Sequence, residues 1–254
     1  MDNLFKAKNS QRKGGDIIMK RLGLFFLVTA CILVAAVAFA GIANTKHNLT
    51  STGGQTTHTT DATATLCGFC HIPHGGNTST AGLPLWARST PAGPYTVYGA
   101  SGSGSNGVTL SGTTVNATPG TFSLTCLSCH DGTISLGTIV KNGVPTSYNM
   151  TGNVDGNGKL IDDSNATAYN PLIGTDLRND HPVGLQYRGT AATYAGLINA
   201  VNGVVANKYP LYGASSDQLE CASCHDPHRE DTNGQTKFLR GANATLCQDC
   251  HANK

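Results

Sequence analysis

The chain has 254 residues, of which 39% are hydrophobic, 6% aromatic and 13% charged, with 31 glycines and a formal net charge of +2. Six of its 17 basic and two of its 15 acidic side chains lie in residues 1–40, so residues 41–254 carry 11 against 13, a formal charge of −2. That balance, with no basic run or patch, argues against a nucleic-acid partner, and the sparse apolar side chains argue against an ordinary hydrophobic core.

Residues 1–18 read as an untranslated upstream extension. Met19-Lys20-Arg21 opens a conventional export signal, and Gly14-Gly15-Asp16 is encodable by bases that resemble a ribosome-binding site. Lys20-Arg21 precede the apolar run Leu22–Phe39, and Ala38-Phe39-Ala40 is a small-x-small cleavage site before Gly41. Residues 19–40 are therefore expected to be a signal peptide, and 41–254 a single exported domain. Two readings compete. The 19 residues Leu22–Ala40 are long enough to stay as a membrane anchor, and Val28-Thr29-Ala30-Cys31 resembles a lipoprotein box that would retain a lipidated Cys31. The apolar run continues past Cys31 and ends at the Ala-x-Ala site, which favours cleavage and the loss of Cys31.

The other eight cysteines fall into four Cys-x-x-Cys-His units: Cys67/Cys70/His71, Cys126/Cys129/His130, Cys221/Cys224/His225 and Cys247/Cys250/His251. In such a unit two thiols add across the vinyl groups of a haem and the adjacent histidine binds the iron, so four covalent haems c are expected. Zinc sites, disulfides and a redox dithiol also use paired cysteines. None of them requires a histidine directly after the second cysteine four times over. Export fits, because haem c is attached outside the cytoplasm.

The motifs are spaced unevenly: 59 residues from Cys67 to Cys126, 95 to Cys221 and 26 to Cys247. Between them lie Gly, Ser, Thr, Asn and Pro, which predict loops and turns. Cys67-Gly-Phe-Cys70-His71-Ile-Pro-His74 is echoed by Cys221-Ala-Ser-Cys224-His225-Asp-Pro-His228, and each is followed by a plain motif. The chain thus reads as two dihaem modules, 46–140 and 176–254, joined by a Gly/Asn-rich middle segment. The expected fold is predominantly irregular coil with short α-helices and minimal β, its core a haem stack, and the apoprotein is expected to be largely unfolded. Short helices should carry the motifs. Thr193–Val204 is the best independent helix, and a small hairpin is expected around Val108–Phe122.

Five histidines remain for the second axial positions: His47, His58, His74, His181 and His228. His74 and His228 stand three residues after a proximal histidine, on the same side of a helical turn. Neither reaches the far face of its own ring, so each is expected to ligate a neighbouring haem. His181, in Asn179-Asp180-His181-Pro182, is a third distal ligand. His47 is favoured over His58 for the fourth place, because His58 sits in a polar threonine-rich run. Bis-histidine iron is low-spin and has no open position, so it passes electrons rather than binding substrate. Asn153, Asp155, Asn157 and Gly158 have half the pattern of a calcium loop, but Ser164 stands where Glu is needed, and an Asx/Gly turn is the better reading of the segment than bound Ca2+.

With these ligands laid out, the chain resembles the extracellular, filament-forming tetrahaem cytochromes of metal-reducing bacteria (OmcE type). The resemblance spans most of 46–254. It rests on Lys46-His47-Asn48-Leu49, the Cys67–His74 unit, Pro84-Leu85-Trp86 with Tyr95 and Tyr98, Leu127–Thr133, Asn179–Val183, the Cys221–His228 unit and Cys247–His251. It implies a bis-histidine protomer that polymerises with one distal histidine, best matched by His47, donated across the subunit interface. Trp86 would pack on a haem, at the interface, or in an ordinary core.

The expected function is electron conduction through four haems, as an extracellular filament at the cell surface that passes electrons to other cytochromes and extracellular acceptors. A soluble periplasmic carrier is the first alternative. A nitrite or hydroxylamine reductase is the second, and it requires one open haem, often marked by Cys-x-x-Cys-Lys, which the sequence lacks. Catalytic residues are not expected.

Overall fold

The computed structural model describes residues 41–53, 56–77, 83, 85–98, 116, 118–141, 143–162, 170–187, 200–201, 203–229 and 238–251. The expected signal peptide, the anchor reading and Cys31 lie outside them. Among the described residues no helix is long and apolar enough to cross a membrane.

The fold is mostly coil, with few short helices and small strand pairs, as expected. Two α-helices, α1 (Thr121–His130) and α2 (Cys221–Cys224), and a 3-10 turn at Leu66–Phe69 carry the first three motifs. The local reason is one repeated hydrogen bond. The N–H of His71 donates to the carbonyl of Cys67 at 2.8 Å, His225 to Cys221 at 3.0 Å and His251 to Cys247 at 2.7 Å. Each motif is thereby wound into a single turn, which brings positions i, i+3 and i+4 to one side.

Among the described residues, nine short strands form small antiparallel pairings. β1 (His58–Thr59) pairs with β4 (Met150–Thr151), β2 (Thr138–Lys141) with β3 (Val144–Ser147), and β5 (Leu185–Gln186) with β9 (Gln218–Leu219). β6 (Ala200–Val201), β7 (Val204–Val205) and β8 (Tyr209–Pro210) make one three-stranded sheet. The helix expected over Thr193–Val204 is corrected here, since residues 200–201 and 204–205 are the arms of a hairpin and 193–199 lie outside the described residues. The sequence carried the signal: Asn-Gly at 202–203, flanked by β-branched valines, is a pattern that favours a two-residue hairpin turn, and Gly203 has φ 73°. The hairpin expected at Val108–Phe122 is corrected at its end, because Thr121 and Phe122 open α1; residues 108–115 lie outside the described residues.

Among the described residues, apolar packing is divided among three small clusters. Tyr95, Val97, Leu127 and Leu177 pack around α1; Ile72, Ala87 and Ile139 pack beside the first motif; Tyr187, Val205, Tyr209, Leu211 and Leu219 pack near the fourth. Polar groups hold the pieces together. Arg88 is fully buried and donates from Nε to Ser128 Oγ (3.2 Å), from one terminal nitrogen to the carbonyls of Leu136 (2.8 Å) and Thr138 (3.2 Å), and from the other to those of Ser128 (2.9 Å) and Ser135 (2.8 Å). Tyr209 donates to Asp249 at 2.7 Å and so fixes the fourth motif against β8.

Glu220 joins the two motif helices. Its buried carboxylate accepts from the Ser123 hydroxyl of α1, while Ser123 Oγ accepts from the Cys221 N–H at 3.0 Å. Glu220 N–H donates to Ser223 Oγ at 3.0 Å, completing a capping box on α2. Gly120 leaves room at the start of α1 for the Glu220 carboxylate, which a Cβ there would displace.

Burial raises the Glu220 carboxyl above its ordinary 4.5. A folded-state pKa above the unfolded one gives a contribution to stability that is complete below 4.5 and lost as pH rises through the folded value. Glu220→Gln is therefore expected to remove this pH dependence and to hold stability at or above wild type at neutral pH. Glu220→Ala, which strands the Ser123 hydroxyl, should cost about 1–3 kcal/mol. Denaturant unfolding of each variant at pH 4 and pH 7 checks both expectations.

Candidate functional site

Eight cysteines, Cys67, Cys70, Cys126, Cys129, Cys221, Cys224, Cys247 and Cys250, are all free of disulfides. The turns set them in a chain of neighbours. Cys70 lies within electrostatic reach of Cys129, Cys126 contacts Cys221, and Cys224 neighbours Cys250. Second cysteines thus face each other between motifs one and two and between motifs three and four. First cysteines face each other between motifs two and three. The helix pair α1–α2, locked by Glu220 and Ser123, makes the middle junction.

Cys70, Cys126 and Cys224 are shifted away from the thiolate form, whereas the contact from Cys126 shifts Cys221 down. Burial, with Cys129 adding, pushes Cys70 to about 12, and burial, with Cys250 adding, pushes Cys224 to about 11. Contact with Cys221, followed by burial, raises Cys126 well above its ordinary range. A redox-active dithiol or a zinc ligand is favoured by a lowered thiol, the opposite of what Cys70, Cys126 and Cys224 show. Among the described residues no group of three or more His, Cys, Asp or Glu is gathered around a point that could hold a metal ion.

The histidines meet in pairs drawn from different parts of the chain. His71 and His228 have ring centres 6.3 Å apart and planes inclined by 18°. His47 and His130 have centres 6.1 Å apart and planes inclined by 60°. A metal–imidazole bond of about 2.0–2.1 Å, with the ring centre about 1.1 Å behind its nitrogen, sets two imidazoles on opposite sides of one metal about 6.3 Å apart. Both pairs match that spacing. His181 lies within electrostatic reach of His251. His225 is the remaining proximal histidine and His74 the remaining distal candidate; both are exposed, and His225 sits on a β-bridge to Leu239.

His47 is held from several sides. Its ring stacks on Phe238 with centres 4.3 Å apart and planes within 9°. Burial, then the proximity of His130, His228 and His225, lowers it to about 4, so it is a neutral imidazole, the ligating form. His58, the competing candidate, lies instead in β1 opposite Thr151, with Nδ1 3.2 Å from the Thr56 carbonyl.

Second partners orient two of the rings. His130 Nδ1 is 2.6 Å from the Pro171 carbonyl and His181 Nδ1 is 3.0 Å from the Pro182 carbonyl. A donating Nδ1–H leaves Nε2 to face a metal. Burial pushes His130 down as well, with the charges of His225 and Arg88 adding. Trp86 settles edge-on to His71, ring centres 5.5 Å apart, in a buried position. Its indole N–H has no hydrogen-bond partner, which costs about 1–3 kcal/mol that an acceptor on a group held at His71 would recover. Unpaired thiols, two correctly spaced histidine pairs and one orphaned donor all fit haem c.

The calcium-like loop is a turn. Asp155 Oδ1 accepts from the N–H groups of Asn157 and Lys159, each at 2.9 Å, and Val154 bridges Leu160. This is the Asx/Gly geometry, with the carboxylate committed to its own backbone; Ser164 lies outside the described residues. Two elements of the site were not anticipated. Arg88 has no acid at a suggestive spacing to mark it, and Phe238 stands far from His47 in sequence.

A family model described as a doubled CXXCH motif matches residues 214–254, which contain the third and fourth motifs. No curated protein matches the chain. The match identifies a haem-binding feature of multihaem c-type cytochromes, proteins of electron transfer.

The state of the thiols provides a direct check. In the protein purified from its own host, denatured and treated with iodoacetamide, none of the eight is expected to be alkylated, either with reductant or with chelator. Disulfides would release thiols to the reductant, and zinc sites to the chelator. Peptide mass mapping separates the three.

Proposed function

We propose that the chain is an exported electron conduit in which four covalent haems c are each held by two histidines. His71, His130, His225 and His251 are the proximal ligands. The distal ligands are His228 for the haem at Cys67/Cys70, His47 for that at Cys126/Cys129, His74 for that at Cys221/Cys224 and His181 for that at Cys247/Cys250. The observation that carries the reading is the axial-pair spacing of His71 with His228 and of His47 with His130. Haem held by these residues would supply reversible one-electron chemistry.

The protein's own residues divide the remaining work. Thioether cysteines fix each ring edge, and their facing order sets the succession of centres from the first motif to the fourth. Pro171 and Pro182 carbonyls hold His130 and His181 with Nε2 outward. Two histidines on each iron would leave no open position for the substrate of a reductase.

The polymeric form, an extracellular filament with His47 donated to a neighbouring subunit, is supported by the sequence resemblance. It requires the segment around His47 to leave its own His130 and occupy the same place in the next copy, an exchange of identical elements. A second reading, the self-contained carrier, is favoured by the position of His47 beside His130 of the same chain.

Two predictions follow from the ligand set. His228→Ala should turn about one iron in four high-spin and able to bind carbon monoxide when reduced, whereas His58→Ala should leave all irons low-spin; electron paramagnetic resonance and carbon monoxide titration read the result. Electron microscopy of the secreted holoprotein separates the assembled forms. Filaments with His47 on a neighbour's iron support the wire, and discrete particles with all axial ligands from one chain support the carrier.

A further inference from the structure

Arg88 is a buried charge that attachment and ligation leave unused. Its backbone sits against the first motif, where the preceding Ala87 N–H donates to the Cys70 carbonyl at 2.8 Å. Its guanidinium sits against the second, donating to both the hydroxyl and the carbonyl of Ser128 inside Cys126-Leu-Ser-Cys129-His130. All five N–H donors are committed to neutral oxygens. None remains for a carboxylate, so Arg88 is not a clamp for a haem propionate, the bidentate role its fork geometry ordinarily favours. Among the described residues no ion pair includes it. The acid beside this region, Asp131, is occupied elsewhere, accepting from the Tyr95 hydroxyl at 2.6 Å and from the Thr133 N–H at 2.8 Å.

A permanent, fully buried cation between two redox centres has a defined electrostatic consequence. In a low-dielectric interior its field is weakly screened, and it favours the reduced iron, which carries one positive charge fewer. Its effect falls with distance, so it acts on the centres at His71 and His130 more than on those at His225 and His251.

We propose that Arg88 is the positioning residue that sets the potentials of the N-terminal module: its charge holds the centres at His71 and His130 above the values they would otherwise take, biasing electrons toward that half of the chain. The inference rests on the haem reading above. Its test is a redox titration of the holoprotein followed by nuclear magnetic resonance, which resolves individual haems, on wild type, Arg88→Met and Arg88→Lys, with haem content taken from intact mass. Arg88→Met should shift the two N-terminal centres to lower potential and leave the C-terminal two in place, and Arg88→Lys should retain most of the wild-type values. Unmoved or raised N-terminal potentials, or an equal shift of all four, would overturn the proposal. If Arg88→Met does not fold, Asp131→Asn carries the test, because removing this negative charge should raise the centre at His130, and no shift there overturns the electrostatic account. A chain without covalent haem would instead sink the underlying reading, so the two failures are distinct.

Discussion

The structure depends on histidines far apart in the sequence approaching one another across a gap the width of an iron and its two bonds. His228 reaches His71 and His47 reaches His130, and each pair ties segments that share little direct apolar contact. The three small clusters are too limited to define such a path by themselves. In the proposed reading, a metal bond through each pair would supply the long-range constraint that a hydrophobic core supplies elsewhere and would couple folding to cofactor loading. Ordinary secondary structure can then shrink to single turns and two-residue strands.

Polar anchoring completes the scaffold. Arg88 gathers the backbone around the first two motifs, Glu220 and Ser123 lock α1 to α2 at the junction of the second and third, and Tyr209 with Asp249 seats the fourth. Each anchor joins a motif to a distant segment through groups that are buried and hydrogen-bonded, which is the condition for burying them at all. The motifs are held in sequence order, with second cysteines facing within each module and first cysteines facing between modules. Electron transfer between successive centres needs close, fixed edges, and these anchors act on the residues that fix the edges.

The Cys-x-x-Cys-His units were legible because the pattern is contiguous, and a turn of Cys-x-x-Cys-His looks the same in sequence as in space. The irregular fold was legible from the Gly, Ser, Thr and Asn content between motifs. Which histidines meet was not, since His47 and His130 are joined by tertiary path rather than spacing. Arg88 was invisible for a related reason: its partners are backbone carbonyls, and every residue carries one. The Ala200–Val205 hairpin was misread as helix although Asn202-Gly203 marked it, because apolar residues in a short run satisfy a helical pattern and a strand pattern equally.

The measurement that tests this account most directly is an experimental density map of the holoprotein at a resolution that separates the axial ligands of the first haem. The account predicts iron between His71 and His228, with thioether links to Cys67 and Cys70. An iron at His71 whose sixth position is empty, or is filled by another side chain, would contradict it.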